Sequence, residues 1–281
     1  MEPAWKRYLT DYNEGLGVVY ERFMLNEYLD RVLNRYPVRA VLEVPIYGMA
    51  GVSGINSVRL AQRGCQVTLV DYDSERLAGV KRIWGELGLP CETAHLPDLS
   101  RLPFPDGAFD LVWNFAALWY LPQAEATLRE IARVAARLAF IAMPNRWQVG
   151  YLLRKYALDR EFFRTVDEQW VKLGRIKKIL VQSGLSIVEE GVLDVPPWPD
   201  TVMPAGEFLR KIGIRSGKMQ GAFSAQSWHW STMDYYLGKD ATLKARVERY
   251  AILDRLPLPW WLKLMWAHHH YVLGLKLQPL I

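Results

Sequence analysis

The sequence has few cysteines and no long apolar run. Cys65 and Cys91 are its two cysteines, and neither belongs to a Cys-x-x-Cys pair or to a cluster with metal-ligand spacing. Isolated cysteines favour reduced thiols in a cytoplasmic protein over a disulfide framework. A membrane span would need about 18 consecutive apolar residues, and the start MEPAWKRYLTDYNE lacks the apolar core of a signal peptide. We therefore expect a cytoplasmic protein with no membrane span, no signal peptide and no metal site.

The first half of the chain has no excess of positive charge, whereas the second half is basic. Residues 1–144 carry 15 Lys and Arg against 17 Asp and Glu, and the remainder carries 20 against 13, so net charges of −2 and +7 give +5. The basic half suits an acidic substrate, a membrane surface or nucleic acid, and equally a solvated lysine-rich face. The 12 Trp and 14 Tyr can form flat walls around an organic ligand, or they can pack in a large core.

The segment 38–71 has the order strand, glycine-bearing loop, helix, strand and acid. The first strand ends at Glu43, the helix covers 55–63, and the second strand ends on Asp71. The loop contains three glycines, Gly48, Gly51 and Gly54. Such a half-unit is typical of nucleotide-binding sheets, where glycines let the backbone approach a ligand and the acid binds a ribose. Taken alone, the segment also fits a plain structural turn.

Strands and helices continue to alternate up to residue 195. The later predicted strands cover 91–94, 109–114, 138–143 and 185–195. This alternation predicts a Rossmann-like α/β fold: a doubly wound, mostly parallel, seven-stranded sheet with helices on both faces and its ligand at the carboxyl ends of the strands. We assign the antiparallel seventh strand to the alternating residues Trp228, Trp230, Met233 and Tyr235.

Three regions follow from this pattern. Residues 1–37 form an N-terminal helical cap that acts as a lid, and 38–195 form the core. Residues 196–281 form a C-terminal substrate-cover region with the late strand and a terminal helix. The residues of that helix include Trp260, Trp261 and Trp266, which suit a membrane surface but also packing against the sheet or a dimer partner. We interpret His268–His270 as a solvated helix face.

The most specific run is LPFPDGAFDLVWNFAALWYL at 102–121. Placed after the unit that ends on Asp71, it resembles the class I S-adenosylmethionine-dependent methyltransferases. The resemblance covers roughly residues 38–144 and implies S-adenosylmethionine as cofactor. It implies that Asp98 faces the adenine and that the strand ending at Asn114 lies beside the methionine part. The cofactor-binding residues predicted in this way are Glu43, Pro45, Gly48, Gly51, Gly54, Asp71, Tyr72, Asp98, Leu99, Asn114, Phe115 and Ala116.

The loop after Glu43 departs from the family's pattern. The family has a glycine soon after this acid, whereas Val44–Tyr47 contains none, and the loop up to Gly54 is several residues longer. Pro45 also lacks an N–H that could bind the methionine carboxylate. Glu43 therefore has two interpretations, as the binder of the cofactor's amino group or as a buried acid that braces the loop. We expect the structure to differ from the family most at 44–54.

The resemblance implies a methyltransferase, and we expect it to act on a small-molecule or hydrophobic, lipid-like acceptor. A hydroxyl acceptor needs a base, for which His95 and His229 are candidates, whereas a carboxylate acceptor needs none. The alternatives are a non-catalytic Rossmann-like binding protein and an NAD(P)-binding oxidoreductase, whose Gly-x-Gly-x-x-Gly pattern is matched poorly. A nucleic-acid acceptor is not favoured, because Asn114–Ala117 is not an Asn-Pro-Pro-aromatic motif. Peripheral membrane contact is an alternative to a purely cytoplasmic location, and the sequence leaves the oligomeric state open.

Overall fold

Seven strands form one mixed sheet in the computed structural model, which describes Lys6 and residues 12–46, 51–198 and 229–276. The strands are β1 (Ala40–Glu43), β2 (Gln66–Asp71), β3 (Glu92–His95), β4 (Phe109–Phe115), β5 (Ala135–Pro144), β6 (Leu185–Leu193) and β7 (His269–Lys276). Their order across the sheet is β3-β2-β1-β4-β5-β7-β6. All neighbours among β1 to β5 are parallel, and β7 is antiparallel to both β5 and β6. The predicted Rossmann-like α/β fold is confirmed.

Ten α-helices connect or flank these strands in the described part of the chain. They are α1 (Leu16–Arg35), α2 (Val58–Gln62), α3 (Ser74–Glu86), α4 (Ala124–Val134), α5 (Val149–Leu153), α6 (Leu173–Gln182), α7 (Thr232–Tyr236), α8 (Leu243–Glu248), α9 (Ile252–Arg255) and α10 (Trp260–Lys263). Helix α5 continues into a π-helical turn, Arg154–Leu158, and short 3-10 turns occur at Leu118–Tyr120, Phe162–Arg164 and Glu168–Val171. None of the described helices has the length and apolar character needed to cross a bilayer.

Two apolar cores cover the two faces of the sheet. On one face, Tyr28 of α1 and Trp84 of α3 pack with Trp113 of β4. On the other, Leu128 of α4 and Leu180 of α6 pack against the sheet in a separate cluster. Each core joins helices to the same strands, so helices cover both faces of the sheet. The loops lie at the carboxyl edge of the sheet.

The helix predicted at 55–63 is shorter in the structure, where α2 spans Val58–Gln62. Gly51 and Gly54 have φ of +82° and +73°, so the chain makes turns here before helical geometry begins. Gly64 follows the helix with φ of +87°, which is the left-handed conformation that glycine favours after a helix end.

The prediction of the seventh strand at Trp228–Tyr235 was wrong. Trp228 lies outside the described residues, and the Ser231 side chain accepts a hydrogen bond from the Asp234 N–H at the start of α7. The seventh strand is β7, whose first six residues are all buried. A strand between two neighbours, buried on both faces, shows a continuous apolar run rather than alternation, which explains the error.

The interpretation of His268–His270 as a solvated helix face was also wrong. These histidines are 5–7% exposed and lie at the entry into β7. The Trp-rich stretch before them has only four helical residues, Trp260–Lys263. The division into 1–37, 38–195 and 196–281 stays a prediction, and the sheet takes β7 from the third of these regions.

Candidate functional site at the carboxyl edge of the sheet

The carboxyl ends of β1, β2 and β4 lie side by side. Glu43 is level with Leu69 of β2 on one side and with Trp113 of β4 on the other. Asp71 is level with His95 of β3. The structure therefore brings together, on one edge, the predicted residues from the ends of these strands.

Glu43 is buried beneath the loop that follows β1. Ser57 Oγ donates a hydrogen bond to Glu43 Oε2 at 2.6 Å, and Trp113 Nε1 donates to the same Ser57 hydroxyl at 3.2 Å. Burial raises the pKa of Glu43 to about 7, against the lowering effects of the Ser57 hydrogen bond and the Arg22 charge. These contacts match the second interpretation of Glu43, an acid that braces the loop.

Asn114 also holds the loop after β1. Its Nδ2 donates to the Val44 carbonyl at 2.8 Å, and its Oδ1 accepts from the Ala117 N–H at 3.3 Å. Pro45, next to that carbonyl, is buried, and the Val44–Pro45 peptide bond is cis. The Asn114 amide is thus engaged by backbone on both of its polar atoms. Gly48 lies outside the described residues.

Gly51 and Gly54 are packed closely against helices. A Cβ on Gly51 would lie 2.6 Å from Glu14 Oε1 and 2.6 Å from Val18 Cγ1. A Cβ on Gly54 would lie 2.5 Å from Val80 Cγ2 in α3. Both positions also have positive φ, so these glycines fix where the loop runs between α1 and α3.

Asp71 ends β2 and is fully buried. Its Oδ1 accepts hydrogen bonds from Arg76 Nη1 at 2.6 Å and from the Asp73 N–H at 2.8 Å. Its Oδ2 is buried with no hydrogen-bond partner in the described structure. Burial raises the pKa of Asp71, while the Arg76 charge opposes that rise. A carboxylate oxygen that lacks a partner at this position can accept a hydrogen bond from a ribose hydroxyl.

Tyr72 and His95 meet beside Asp71. The Nε2 of His95 lies 3.1 Å from the Tyr72 carbonyl oxygen, and the Arg76 guanidinium lies 5.4 Å from the centre of the Tyr72 ring. His95 is exposed. It therefore stands at the rim of the edge, on the side of the predicted ribose position.

The other predicted residues of the edge differ in exposure. Asp98 is exposed, and its two oxygens accept from the N–H and the hydroxyl of Ser100, each at 2.8 Å. These bonds lower the pKa of Asp98. Leu99 is buried in the core, as are Phe115 and Ala116 at the end of β4, and Ala116 has φ of +53°.

His229, the second candidate base, is not part of the strand-end group. It is exposed, and its Nε2 lies 2.7 Å from Asp234 Oδ2 near the start of α7. Its neighbour Trp230 accepts a hydrogen bond from the Glu14 N–H through its carbonyl. His229 thus lies beside the segment that leads into α1.

A buried Asp–His pair at this edge was missed by the sequence reasoning. His269 Nδ1 lies 3.1 Å from Asp194 Oδ1, and the imidazole centre lies 4.5 Å from the Phe115 ring centre. Burial opposes the charged form of each partner, but the opposite charges outweigh it, so the pKa of Asp194 is lowered and that of His269 is raised. Glu21 and Asp194 offer oxygens near the same imidazole, a set that can also hold a metal ion.

A cavity of about 310 Å³ opens beside the carboxyl end of β5. Aromatic and cationic side chains contribute most of its wall, together with Glu168, whose carboxylate pairs with Lys155 at 2.5 Å. The aromatic and cationic residues are Trp147, Tyr151, Tyr156, Arg146, Lys155 and Lys172. Such a wall suits a ligand with a flat or apolar body and an anionic group.

Comparison with known proteins gives one family match. Residues 49–143 match the family described as "Methyltransferase domain". This segment includes the loop glycines Gly51 and Gly54, the acids Asp71 and Asp98, and the end of β4. No match was found among the curated proteins.

Solved structures share the fold at low sequence identity. Magnesium protoporphyrin IX methyltransferase from Synechocystis PCC 6803, with bound S-adenosylhomocysteine, is 18% identical with a TM-score of 0.52, over 68% of this chain and 87% of that one. A chain from the complex of the Haloferax volcanii Trm112 methyltransferase activator with a methyltransferase is 15% identical with a TM-score of 0.50, over 99% and 100%.

The cyclase SpnF is also 15% identical with a TM-score of 0.50, over 89% of this chain and 80% of that one. The fold therefore hosts more than one chemistry. The family match favours a methyltransferase over the nicotinamide-binding and non-catalytic alternatives. Residues 49–143 thus match a methyltransferase domain, and this match together with the shared fold supports a class I methyltransferase with S-adenosylmethionine as its cofactor.

Proposed function

We propose that the methyl acceptor is a small hydrophobic, lipid-like molecule that carries an anionic group. The cavity beside β5 is the observation that supports this proposal. Its aromatic wall can bury an apolar body, and Arg146, Lys155 and Lys172 can face an anion. Residues 145–156 follow β5 directly, so the cavity adjoins the edge at which ligands bind in doubly wound sheets.

The residues at the strand ends hold the cofactor in this proposal. Asp71 Oδ2 accepts from a ribose hydroxyl, while Tyr72 and Leu99 lie along the nucleoside and Asp98 lies at its adenine end. Gly51 and Gly54 place the loop that faces the methionine part. Glu43, Pro45 and Asn114 hold that loop from beneath, as their hydrogen bonds and burial indicate. When bound, S-adenosylmethionine supplies a methyl group that is already electrophilic.

The protein's own contribution is then position and water exclusion. Helix α1 packs over Gly51 and so covers the loop from one side. Phe115 and Ala116 close the end of β4 with buried apolar surface. An acceptor held in line in such a dry site loses little entropy at the moment of transfer, which is the main source of rate in this chemistry.

An exposed apolar face adjoins the cavity, since Trp147, Leu152 and Tyr156 belong to both. Of 13 large apolar side chains that are exposed in the described chain, 11 belong to 147–156 or 252–266. The two stretches are joined, because the Val149 N–H donates to the Met265 carbonyl at 3.2 Å and Asn145 Nδ2 donates to the Leu264 carbonyl at 2.6 Å. We name this the Trp-rich face; its exposed residues are Trp147, Leu152, Tyr156, Ile252, Leu256, Leu258, Trp260, Trp261, Leu262, Met265 and Trp266.

The partner proposed for the Trp-rich face is an anionic membrane surface. Exposed Trp and Leu side chains beside Arg146 and Lys155 match the apolar and charged layers of a bilayer interface. A protein bound in this way would meet a lipid-like acceptor where the acceptor resides. The location proposed is therefore peripheral to a membrane.

Two measurements on the purified chain test the proposed function. Calorimetry should show binding of S-adenosylhomocysteine and not of NADH. Transfer of labelled methyl from S-adenosylmethionine should then appear in the organic phase when anionic lipids are offered, and not when polar metabolites are offered. Replacing Trp147 and Tyr156 by Ala should reduce this transfer while cofactor affinity is retained. The matched control is V181S, which changes an exposed apolar side chain on α6, away from the cavity.

The results can separate the parts of the proposal. Label transferred to a water-soluble acceptor, with the Trp147 and Tyr156 variants fully active, would contradict the lipid-like acceptor. Failure of S-adenosylhomocysteine to bind would instead contradict the assigned cofactor residues.

A further inference from the structure

We infer that Glu21, Asp194 and His269 form a binding site for a divalent transition-metal ion of the Zn²⁺ type. Two carboxylates and one imidazole meet here from three elements: α1, the residue after β6, and β7. The site lies outside the wall of the acceptor cavity and does not depend on the proposed function. It departs from the sequence-based expectation of no metal site, because that expectation rested on spacing along the chain, which does not bring these residues together.

The three ligand atoms have separations that suit a shared ion. His269 Nδ1 lies 3.1 Å from Asp194 Oδ1 and 3.8 Å from Glu21 Oε2, and all three atoms lie within 4.8 Å of one another. Two ligands that each lie about 2.0–2.1 Å from a tetrahedral Zn²⁺ are about 3.3 Å apart. Asp194 and His269 therefore already have nearly this separation, and Glu21 has to approach the imidazole by about 0.5 Å.

Burial differs across the set in a way that allows an ion to enter. The side chains of Asp194 and His269 are 1% and 6% exposed, whereas that of Glu21 is 30% exposed. Packing fixes the two buried ligands, and the ion reaches them from the side of Glu21. Because Glu21 lies at the surface of α1, its side chain can adjust to the ion by a change of rotamer.

The charges of the set match a dication. Glu21 and Asp194 together carry two negative charges, which one Zn²⁺ beside a neutral imidazole would balance. Asp194 Oδ2 is buried and accepts no hydrogen bond of normal geometry from the described residues, although His268 Nδ1 lies 3.2 Å from it. A buried carboxylate is costly unless its oxygens are satisfied, and a metal ion bound by this carboxylate would offset that cost.

The donor set selects the class of ion. An imidazole nitrogen favours Zn²⁺ and related divalent metals, whereas Mg²⁺ and Ca²⁺ prefer sets of oxygens alone. Three protein ligands leave a fourth tetrahedral position for water. Phe115 packs against the His269 imidazole, with 4.5 Å between ring centres, and so restricts the orientation of the ring. Asp254 is not a further ligand, since its carboxylate already accepts from Tyr20 and from the Val195 N–H.

A bound ion would join α1 to the end of the sheet. Glu21 belongs to α1, the helix that packs over Gly51 beside the predicted cofactor position, whereas Asp194 and His269 lie at the end of β6 and the start of β7. The ion would therefore fix the predicted lid on the strand ends. An ion that binds the folded chain and not the unfolded chain also raises the melting temperature.

Calorimetry of the whole protein, first treated with a chelator and then dialysed, tests the site with Zn²⁺ and Mg²⁺ as probes. One Zn²⁺ should bind per chain, and more tightly than Mg²⁺ does. E21Q should weaken Zn²⁺ binding at least about 10-fold, because loss of even an outer partner of a metal ligand costs that much. The matched control is H229Q, which removes an exposed histidine 2.7 Å from the Asp234 carboxylate and should bind Zn²⁺ as the wild type does.

The stability of the protein gives a second readout. Zn²⁺ should raise the melting temperature of the wild type and of H229Q, and should slow amide hydrogen exchange in α1, while E21Q shows neither effect. D194N should also lose the ion, but it removes a buried charge. E21Q therefore carries the test, since Glu21 is partly exposed and its replacement leaves the core intact.

Three results would overturn the site. Zn²⁺ that fails to bind the wild type would leave the cluster as ion pairs only. Zn²⁺ that binds E21Q as tightly as the wild type, or that H229Q fails to bind, would place the ion elsewhere on the chain. None of these measurements uses S-adenosylmethionine or an acceptor, so failure of the metal site and failure of the proposed methyl transfer are observed separately.

Discussion

Glu14 and Arg22 form a buried ion pair at the base of the loop that faces the predicted cofactor position. Glu14 Oε1 accepts from Arg22 Nη2 at 2.7 Å and from the Val52 N–H at 2.9 Å, while Oε2 accepts from the Thr232 N–H at 3.1 Å. Arg22 also donates to Asn56. One carboxylate therefore ties α1, the loop at 51–56 and the start of α7 to one another.

We expect E14Q to lower the free energy of unfolding by roughly 3 kcal/mol, because it leaves the Arg22 charge buried without its counter-ion. Affinity for S-adenosylhomocysteine should fall as well, since the loop loses its fixed position against α1. Urea unfolding and calorimetry measure the two effects. The control is K244Q, which removes the exposed pair Lys244–Glu248 and should change stability by less than about 1 kcal/mol. Equal losses of stability in E14Q and K244Q would contradict this role of Glu14.

Asp71 provides a second prediction, about cofactor affinity. D71N removes the charge behind the open Oδ2, and the affinity for S-adenosylhomocysteine should fall roughly 10- to 100-fold, since a hydrogen bond to a charged group contributes about 1.5–3 kcal/mol. Calorimetry gives the dissociation constants, and a melting curve shows whether the variant is folded. In D71N, Arg76 still has the carboxylate of Asp73 as a partner.

The comparison variant is D98N at the predicted adenine end. Both oxygens of Asp98 already accept from Ser100, and the side chain is exposed. We therefore expect D98N to weaken binding less than D71N does. The reverse order would mean that Asp98, and not Asp71, contributes the larger part of the nucleoside affinity.

Because Glu43 is a buried carboxyl, we expect the stability of the protein to depend on pH. Its folded-state pKa of about 7 lies above the ordinary value of 4.5, so the folded protein holds this proton more tightly than the unfolded chain does. The free energy of unfolding should therefore fall as pH rises through this interval and stay lower above it. Since one pKa unit corresponds to about 1.4 kcal/mol, the loss is roughly 3 kcal/mol.

E43Q should remove this part of the pH dependence, because glutamine does not ionise and its amide oxygen can still accept from Ser57. Urea unfolding at about pH 5 and about pH 8 compares the two proteins. If the wild type and E43Q lost equal stability between these pH values, another group would be responsible.

The sequence allowed the parallel half of the sheet to be predicted from local patterns. The strand ends at Glu43 and Asp71 and the turn before Phe109 follow from short apolar runs, turn residues and acids that are adjacent in the chain. The family match over 49–143 covers this part from β2 onward, and β1 lies before it. Local signals are sufficient for most of this half because every strand pair except β1–β4 joins strands that are consecutive in the chain.

The rest of the site depends on contacts between distant residues. Asp194 and His269 are 75 residues apart, and Glu14 meets Thr232 across 218 residues. No helical or strand periodicity links such positions, so neither pair can be read from spacing. The histidines that begin β7 looked like a solvated helix because the strand that buries them is identified by its pairing with β5 and β6, and not by its own pattern.

The Trp-rich face gives the last prediction. Trp261 and Met265 are 58% and 61% exposed, and insertion of each side chain into a bilayer interface would remove apolar area worth about 1.5–3 kcal/mol for a full side chain. We expect the double variant W261S/M265S to bind vesicles of phosphatidylcholine and phosphatidylglycerol at least 10-fold more weakly in a sedimentation assay. V181S, which changes a side chain of similar exposure on α6, should bind as the wild type does.

The charge contribution to that binding has its own readout. Arg146, Lys155 and Lys172 lie at the same mouth, and cations near an anionic surface contribute about 1 kcal/mol each, which salt screens. Vesicles without phosphatidylglycerol, or high salt, should therefore weaken binding of the wild type. Binding that is equal for both vesicle types would contradict an anionic surface as the partner.

Wild-type binding by W261S/M265S would exclude the Trp-rich face as the contact. Methyl transfer to a dispersed acceptor should survive in that double variant, because the two side chains are not in the cavity wall.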